Sequence, residues 1–170
     1  MLGKQLTVGL AGALGFAFIF AVWHWSPITP LFAELPADDL AHRLAYAVHW
    51  LLVPGLALLA GVVGAGRRGF YADAIDGTRT PLNRGLEINL RYNQNTVEQT
   101  LLAAIAWTGL ALTLPHEDLI VIPSIAFLFG FGRITFWVGY LLHPLARAFG
   151  MTLTAAPTLA AFVWLTSHSI

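Results

Sequence analysis

The sequence predicts an all-α integral membrane bundle that crosses the bilayer five times, and three observations predict it. Of its 170 residues, 57% are hydrophobic and only 11% charged, where a soluble domain carries about 25% charged residues. The apolar residues gather in five segments, roughly 6–25, 44–66, 100–114, 119–140 and 151–166, and a spanning helix needs about 20 residues. The connections between these segments are alternately poor and rich in arginine, as successive crossings require.

Taken in order, the first segment follows Lys4 and resembles the front of a secretory signal, but no small-x-small cleavage site follows it. Its exit, Trp23-His24-Trp25-Ser26-Pro27, reads as an aromatic interface belt, so an uncleaved helix is expected. The connection 26–40 holds Glu34, Asp38 and Asp39 and no Lys or Arg, and Arg43 opens the second span. Residues 67–91 hold Arg67, Arg68, Arg79, Arg84 and Arg91, with an Asp76-Gly77 turn. The third apolar segment is short, but it ends a longer helix. Thr80 is the expected cap, Pro81 the first helical residue and Pro115 the stop, a length of about 50 Å that exceeds the hydrocarbon core. Its first turns must therefore stand in water. The turn 115–118 carries His116, Glu117 and Asp118. Pro144 should bend or end the fourth helix near His143, and Pro157 interrupts the fifth. The positive-inside rule puts the N-terminus and the 67–91 loop in the cytoplasm and the C-terminus outside. Two units follow: an additional N-terminal helix with its outer loop at 1–40, and a four-helix membrane domain at 41–170.

Composition excludes several function classes. Net charge is zero and no basic run exists, so nucleic acid is not an expected partner. The chain has no cysteine, which excludes disulfides, thiolate metal sites and a cysteine nucleophile. Any thiol chemistry needs a thiol carried by a ligand. No metal site is expected, because His49, inside an apolar span, has no second histidine at ligand spacing and reads as a hydrogen-bonded core residue.

Two polar stripes enter the apolar helices. Arg84, Glu87, Arg91, Asn95 and Glu98 fall within an arc of about 80° on the long third helix. Arg133, Tyr140 and Arg147 share a second face, with Phe136, Trp137 and Pro144 between them. Opposite chain directions bring both to one side of the membrane. Glu98 and Arg133 lie at similar depth, and each alone would cost several kcal/mol in lipid (about 2.5–3.5 for a charge at the centre of a span). A Glu98–Arg133 contact is expected, within one subunit or across two. The excess of cationic donors suits a small ligand with carboxylates.

The stretch Arg91-Tyr92-Asn93-Gln94-Asn95-Thr96-Val97-Glu98, with its Arg-x-x-x-Asn-x-x-Glu pattern, and the Arg133, Gly139-Tyr140, Arg147 spacing resemble the MAPEG family (membrane-associated proteins in eicosanoid and glutathione metabolism). The resemblance runs from about Leu44 to the C-terminus. It implies a homotrimer of four-helix subunits with glutathione as co-substrate, bound between neighbours near the cytoplasmic side. By position, Arg91, Asn95, Glu98 and Tyr140 would hold the tripeptide, Arg133 would also line the site, and Arg147 would match the arginine that activates the sulfur. The sequence departs from the family's pattern at Gln99 and Phe136, where glutathione-binding members carry tyrosines, and in the additional first helix.

The expected function is a glutathione-dependent membrane enzyme of transferase or peroxidase type. It would act on a lipophilic electrophile or hydroperoxide arriving from the lipid, in a bacterial cytoplasmic membrane. The alternative is a non-catalytic lipid-binding or scaffold protein of the same fold. A small transporter is disfavoured because the outer half lacks intramembrane charges.

Overall fold

The computed structural model describes residues 2–25 and 34–168, and its regular elements are helical. They are α1 (Leu2–Trp25), α2 (Leu40–Trp50), α3 (Leu52–Gly66), α4 (Arg84–Thr113), α5 (Val121–Leu142) and α6 (Arg147–His168). Helices α2 and α3 form one crossing, Leu40–Phe70, broken at Leu51. Pro54 explains the break, since it has no N–H to return to the carbonyl four residues earlier. With α1, α4, α5 and α6 this makes a five-span bundle, and the chain is an integral multi-pass membrane protein. By length and hydropathy alone α4 is not among the candidate spans. Its first half is polar, and at 30 residues it is about 45 Å long.

The start of α4 corrects the expected cap. The helix begins at Arg84, where the Asn83 side chain accepts from the Leu86 N–H at 2.9 Å. Asn is among the strongest N-caps, and it displaces Thr80-Pro81 because Asp73 holds the Leu82 N–H at 2.7 Å in a loop conformation. The Asp76-Gly77 turn forms as expected, with Gly77 at φ +78° and the Asp76 carboxylate accepting from Thr78 N–H. α6 runs unbroken through Pro157.

Glycine sets how closely α5 and α6 approach. A Cβ on Gly150 would overlap the Phe136 nitrogen and the Gly132 carbonyl oxygen. Glycine pairs of this kind let backbones meet where no hydrophobic force drives helices together. α1 packs alongside α6 in parallel, with Gly15 seated on Thr152 and Phe18 between Phe131 and Phe149. At the arginine-poor end, Arg43 Nη1 donates to the carbonyls of Ala111 (3.1 Å) and Leu114 (2.9 Å) and Arg43 Nη2 pairs with Asp38 (2.6 Å). It thereby satisfies carbonyls that the end of α4 leaves open. His116 Nε2 lies 2.8 Å from the Pro36 carbonyl, so this turn is tied to the 34–37 segment instead of being only solvated. His49 is exposed, not in the core, and its ring meets Trp50 edge-on at 5.4 Å between centroids. Exposed large apolar residues run along α1 and α3, among them Leu10, Phe16, Leu56 and Val63.

Candidate functional site

The polar residues of α4, α5 and α6 meet at the arginine-rich end. Pro144 ends α5 at Leu142, and His143 turns extended. The connection then folds back on α5 at Gly139, whose Cβ position lies 2.8 Å from the Ala146 carbonyl oxygen and 3.0 Å from the Arg147 nitrogen. This brings Arg147, the first residue of α6, over Tyr140, with its guanidinium carbon 4.5 Å from the ring centroid. Such a contact leaves the guanidinium edge free to donate.

Arg91 of α4 stands near the same tyrosine. Its nearest charged partner is Glu87 one turn back, with Nε at 2.9 Å and Nη2 at 2.8 Å from one carboxylate oxygen. Tyr140 is 9% exposed and meets the buried Phe136 edge-on at 5.9 Å. One turn further in, Arg133 lies over Phe136 at 4.6 Å and Phe129 at 5.6 Å. The rings of Tyr140 and Phe136 thus link Arg147 and Arg133 in one column, with Arg91 near its outer end.

Arg133 is 1% exposed. Its Nη1 donates to Asn95 Oδ1 at 2.7 Å and its Nη2 to Thr154 Oγ1 at 2.6 Å, with Met151 Sδ at 4.0 Å. Its Nε has no hydrogen-bond partner, and among the described residues no carboxylate pairs with it. A guanidinium carries five N–H donors, so the site holds a buried cation with unused donor capacity.

The expected Glu98–Arg133 contact is absent within the chain. Glu98 accepts from Gln94 Nε2 at 2.9 Å and is exposed. The buried residues Tyr92, Thr96, Gln99 and Ala103 define the packed face of α4. At about 100° per residue, Asn95 sits at the edge of that face, whereas Glu98 is turned well over 100° from its centre. The shorter Asn95 therefore takes the place expected of the glutamate. Arg91, Asn95, Arg133, Tyr140 and Arg147 come together, and Glu98 faces away from the protein.

Several participants escaped the sequence reading. Thr154, the second anchor of Arg133, lies seven residues after Arg147 and so on the same face of α6; that spacing was a usable signal. Asn89 accepts from Trp137 Nε1 at 2.9 Å and presses on Gly64, locking α3, α4 and α5 below the site. Only the closeness of Gly64 makes room for it. Gln99, one of the two departures from tyrosine, is buried with its Oε1 unpartnered, and Phe136 is 3% exposed beneath Arg133.

Mouse (Mus musculus) Transmembrane protein 79 is 26% identical over 138 residues, which cover 78% of this chain and 35% of that protein. The chain thus spans about a third of the length of this curated relative. No solved structure matches the chain. The MAPEG family model matches residues 43–167, a stretch that takes in every helix of the site and leaves out α1. The chain belongs to the MAPEG family.

Proposed function

We propose that the protein is a glutathione-dependent membrane enzyme of transferase or peroxidase type, acting on a lipophilic electrophile or hydroperoxide. The observation that carries this reading is the cationic column Arg91–Tyr140–Arg147–Arg133. Among the described residues, neither Arg133 nor Arg147 has a carboxylate partner, and Arg133 Nε has no partner at all. These two uncompensated guanidinium groups, together with Arg91 nearby, fit the two carboxylates and the thiol of the tripeptide.

Bound glutathione supplies the thiol, which as a thiolate attacks the electrophile or reduces the hydroperoxide. The residues supply binding and charge. Arg91 and Tyr140 orient the peptide at the water end, Asn95 and Arg133 hold its inner part, and Arg147 stabilises the sulfur as an anion. A free thiol has a pKa of about 8.5, and lowering it by about two units takes about 2.7 kcal/mol. One guanidinium at contact distance in a partly dry site is sufficient for that.

The same reading includes a homotrimer. Glu87, Arg91, Gln94 and Glu98 lie on an outward face of a single chain. A charge facing lipid at the centre of a span costs about 2.5–3.5 kcal/mol, so a second copy covering Glu98, the innermost of these residues, lowers the cost of burying it and encloses the site. We place the N-terminus and the 67–91 loop on the cytoplasmic side of a bacterial cytoplasmic membrane, because that loop holds the arginine excess.

Calorimetric titration of the purified protein with glutathione and with S-methylglutathione tests the proposal. Both should bind, and Arg91→Ala should weaken both. Absence of binding by either would refute it and favour a non-catalytic lipid-binding protein of the same fold, a reading consistent with Gln99 and Phe136 lacking hydroxyls.

A further inference from the structure

Helix α1 creates a second feature, at the end of the bundle remote from the Arg133–Arg147 column and near Arg43, which is held by Asp38 and the carbonyls of Ala111 and Leu114. Its first half is fixed to α6 by Gly12 and Gly15 against Thr152. Beyond that contact the two parallel helices do not close. Pro157 and two alanines, Ala160 and Ala161, leave α6 without bulk there, and Ile19 and Trp23 of α1 face them across a cavity of about 590 Å³. That volume lies within the range of about 300–1,000 Å³ usual for small-molecule sites.

The lining is polarised along its length. The deep part is aliphatic, with Leu128 and Ile125 of α5. The lining also includes Asp118, in the turn before α5, and Trp23 and Trp164, each near the C-terminal end of its helix, with the Trp164 ring stacked on His168 at 4.3 Å. Asp118 is exposed, follows Glu117, and among the described residues has no cationic partner within ion-pair distance. No Lys or Arg lines the cavity. An anionic head would meet a carboxylate there. A cationic head would meet a carboxylate and two indole rings, the arrangement that favours ammonium groups.

We propose that this cavity binds a single-chain amphiphile with a cationic, ammonium-type head. The chain lies in the aliphatic slot between α1 and α6, and the head rests at Asp118, toward Trp23 and Trp164. The site belongs to the additional helix and does not depend on the glutathione reading, since it shares no residue with the cationic column.

The test uses the full chain in nanodiscs of net-neutral lipid, titrated calorimetrically with three probes of equal chain length: dodecyltrimethylammonium, dodecyl maltoside and dodecyl sulfate. The cationic probe should bind about fivefold or more tighter than the uncharged one, the scale expected of one solvent-accessible ion pair with an aromatic contact, and the sulfate should bind weakest. Asp118→Asn should abolish the head-group preference while leaving chain binding, and the melting midpoint should be unchanged because the residue lies in an exposed turn. Ala160→Phe, which fills the cavity from an exposed position, should weaken all three. Equal binding of the three probes by the parent protein, or an unchanged order in Asp118→Asn, would overturn the proposal. So would undiminished binding in Ala160→Phe.

Discussion

Replacing Thr154 with valine leaves the Arg133 charge in place and removes one of its two close hydrogen-bond acceptors, 2.6 Å away. Hydrogen bonds to charged groups contribute about 1.5–3 kcal/mol, whereas side-chain hydrogen bonds between membrane helices average about 0.6 and reach about 1.7. Arg133 has no carboxylate to compensate it and is 1% exposed, so the upper part of the membrane range applies, and Thr154→Val should cost about 1.5 kcal/mol. Arg133→Met should behave differently. It removes a buried charge that no carboxylate compensates and keeps much of the volume, so the desolvation cost of that ion is avoided. The Thr154 hydroxyl then still reaches the Met151 carbonyl at 3.1 Å. In the Arg133→Met background, Thr154→Val should therefore cost under about 0.5 kcal/mol, a coupling of about 1 kcal/mol. The assay is equilibrium unfolding of the four proteins in one mild detergent, with glutathione titration alongside. Arg133→Met should bind glutathione more weakly although it is at least as stable. Equal penalties for Thr154→Val in both backgrounds would refute the reasoning, because the hydroxyl would then not be serving the buried cation.

Other predictions follow from the same contacts. Gly150→Ala should destabilise by the upper end of the overpacking range, about 3 kcal/mol, because its Cβ meets the α5 backbone; Gly55→Ala, with open space around it, should leave the unfolding midpoint nearly unchanged. Asp39 caps α2, and the His42 backbone N–H at 3.0 Å holds its carboxyl below the ordinary carboxylate value. Since the folded pKa is the lower one, its contribution is present above the unfolded carboxylate range and lost as pH falls through the folded value. An Asp39→Asn variant should keep much of the cap yet show a flatter loss of stability under acid, measured by melting midpoint against pH. Glu98→Gln should leave the fold of a single chain within about 0.5 kcal/mol, since Glu98 touches only Gln94 across one turn, and should shift the oligomer distribution seen by native mass spectrometry.

Much of the fold was legible because bilayer thickness and water impose strong patterns on composition. The five segments, the long α4 and the stops at Pro115 and Pro144 all stand in the sequence. The start of α4 was less legible: Asn83 and Thr80-Pro81 are both plausible caps, and a tertiary bond from Asp73 to Leu82 decides between them. Within the site, helical spacing put Arg133, Tyr140 and Arg147 on one face, and the structure stacks Arg147 on Tyr140. Pairing was harder. Opposite charges at equal depth pointed to Glu98, but depth does not specify azimuth, and the packed face of α4 turns Asn95 toward α5 instead. Thr154 was missed because a threonine in a membrane helix usually bonds its own backbone, as Thr158 does to the Thr154 carbonyl here. The cavity beside α1 depends on how two helices diverge, which no local pattern encodes.

The ultraviolet difference spectrum of glutathione on adding the protein at neutral pH tests the role of the arginine column most directly. The account predicts a thiolate band in the parent protein that disappears in Arg147→Ala. It also predicts that calorimetry still detects the peptide bound in that variant, through Arg91, Asn95 and Arg133. A parent protein that binds glutathione without any thiolate band, or an Arg147→Ala variant with an undiminished one, would contradict it.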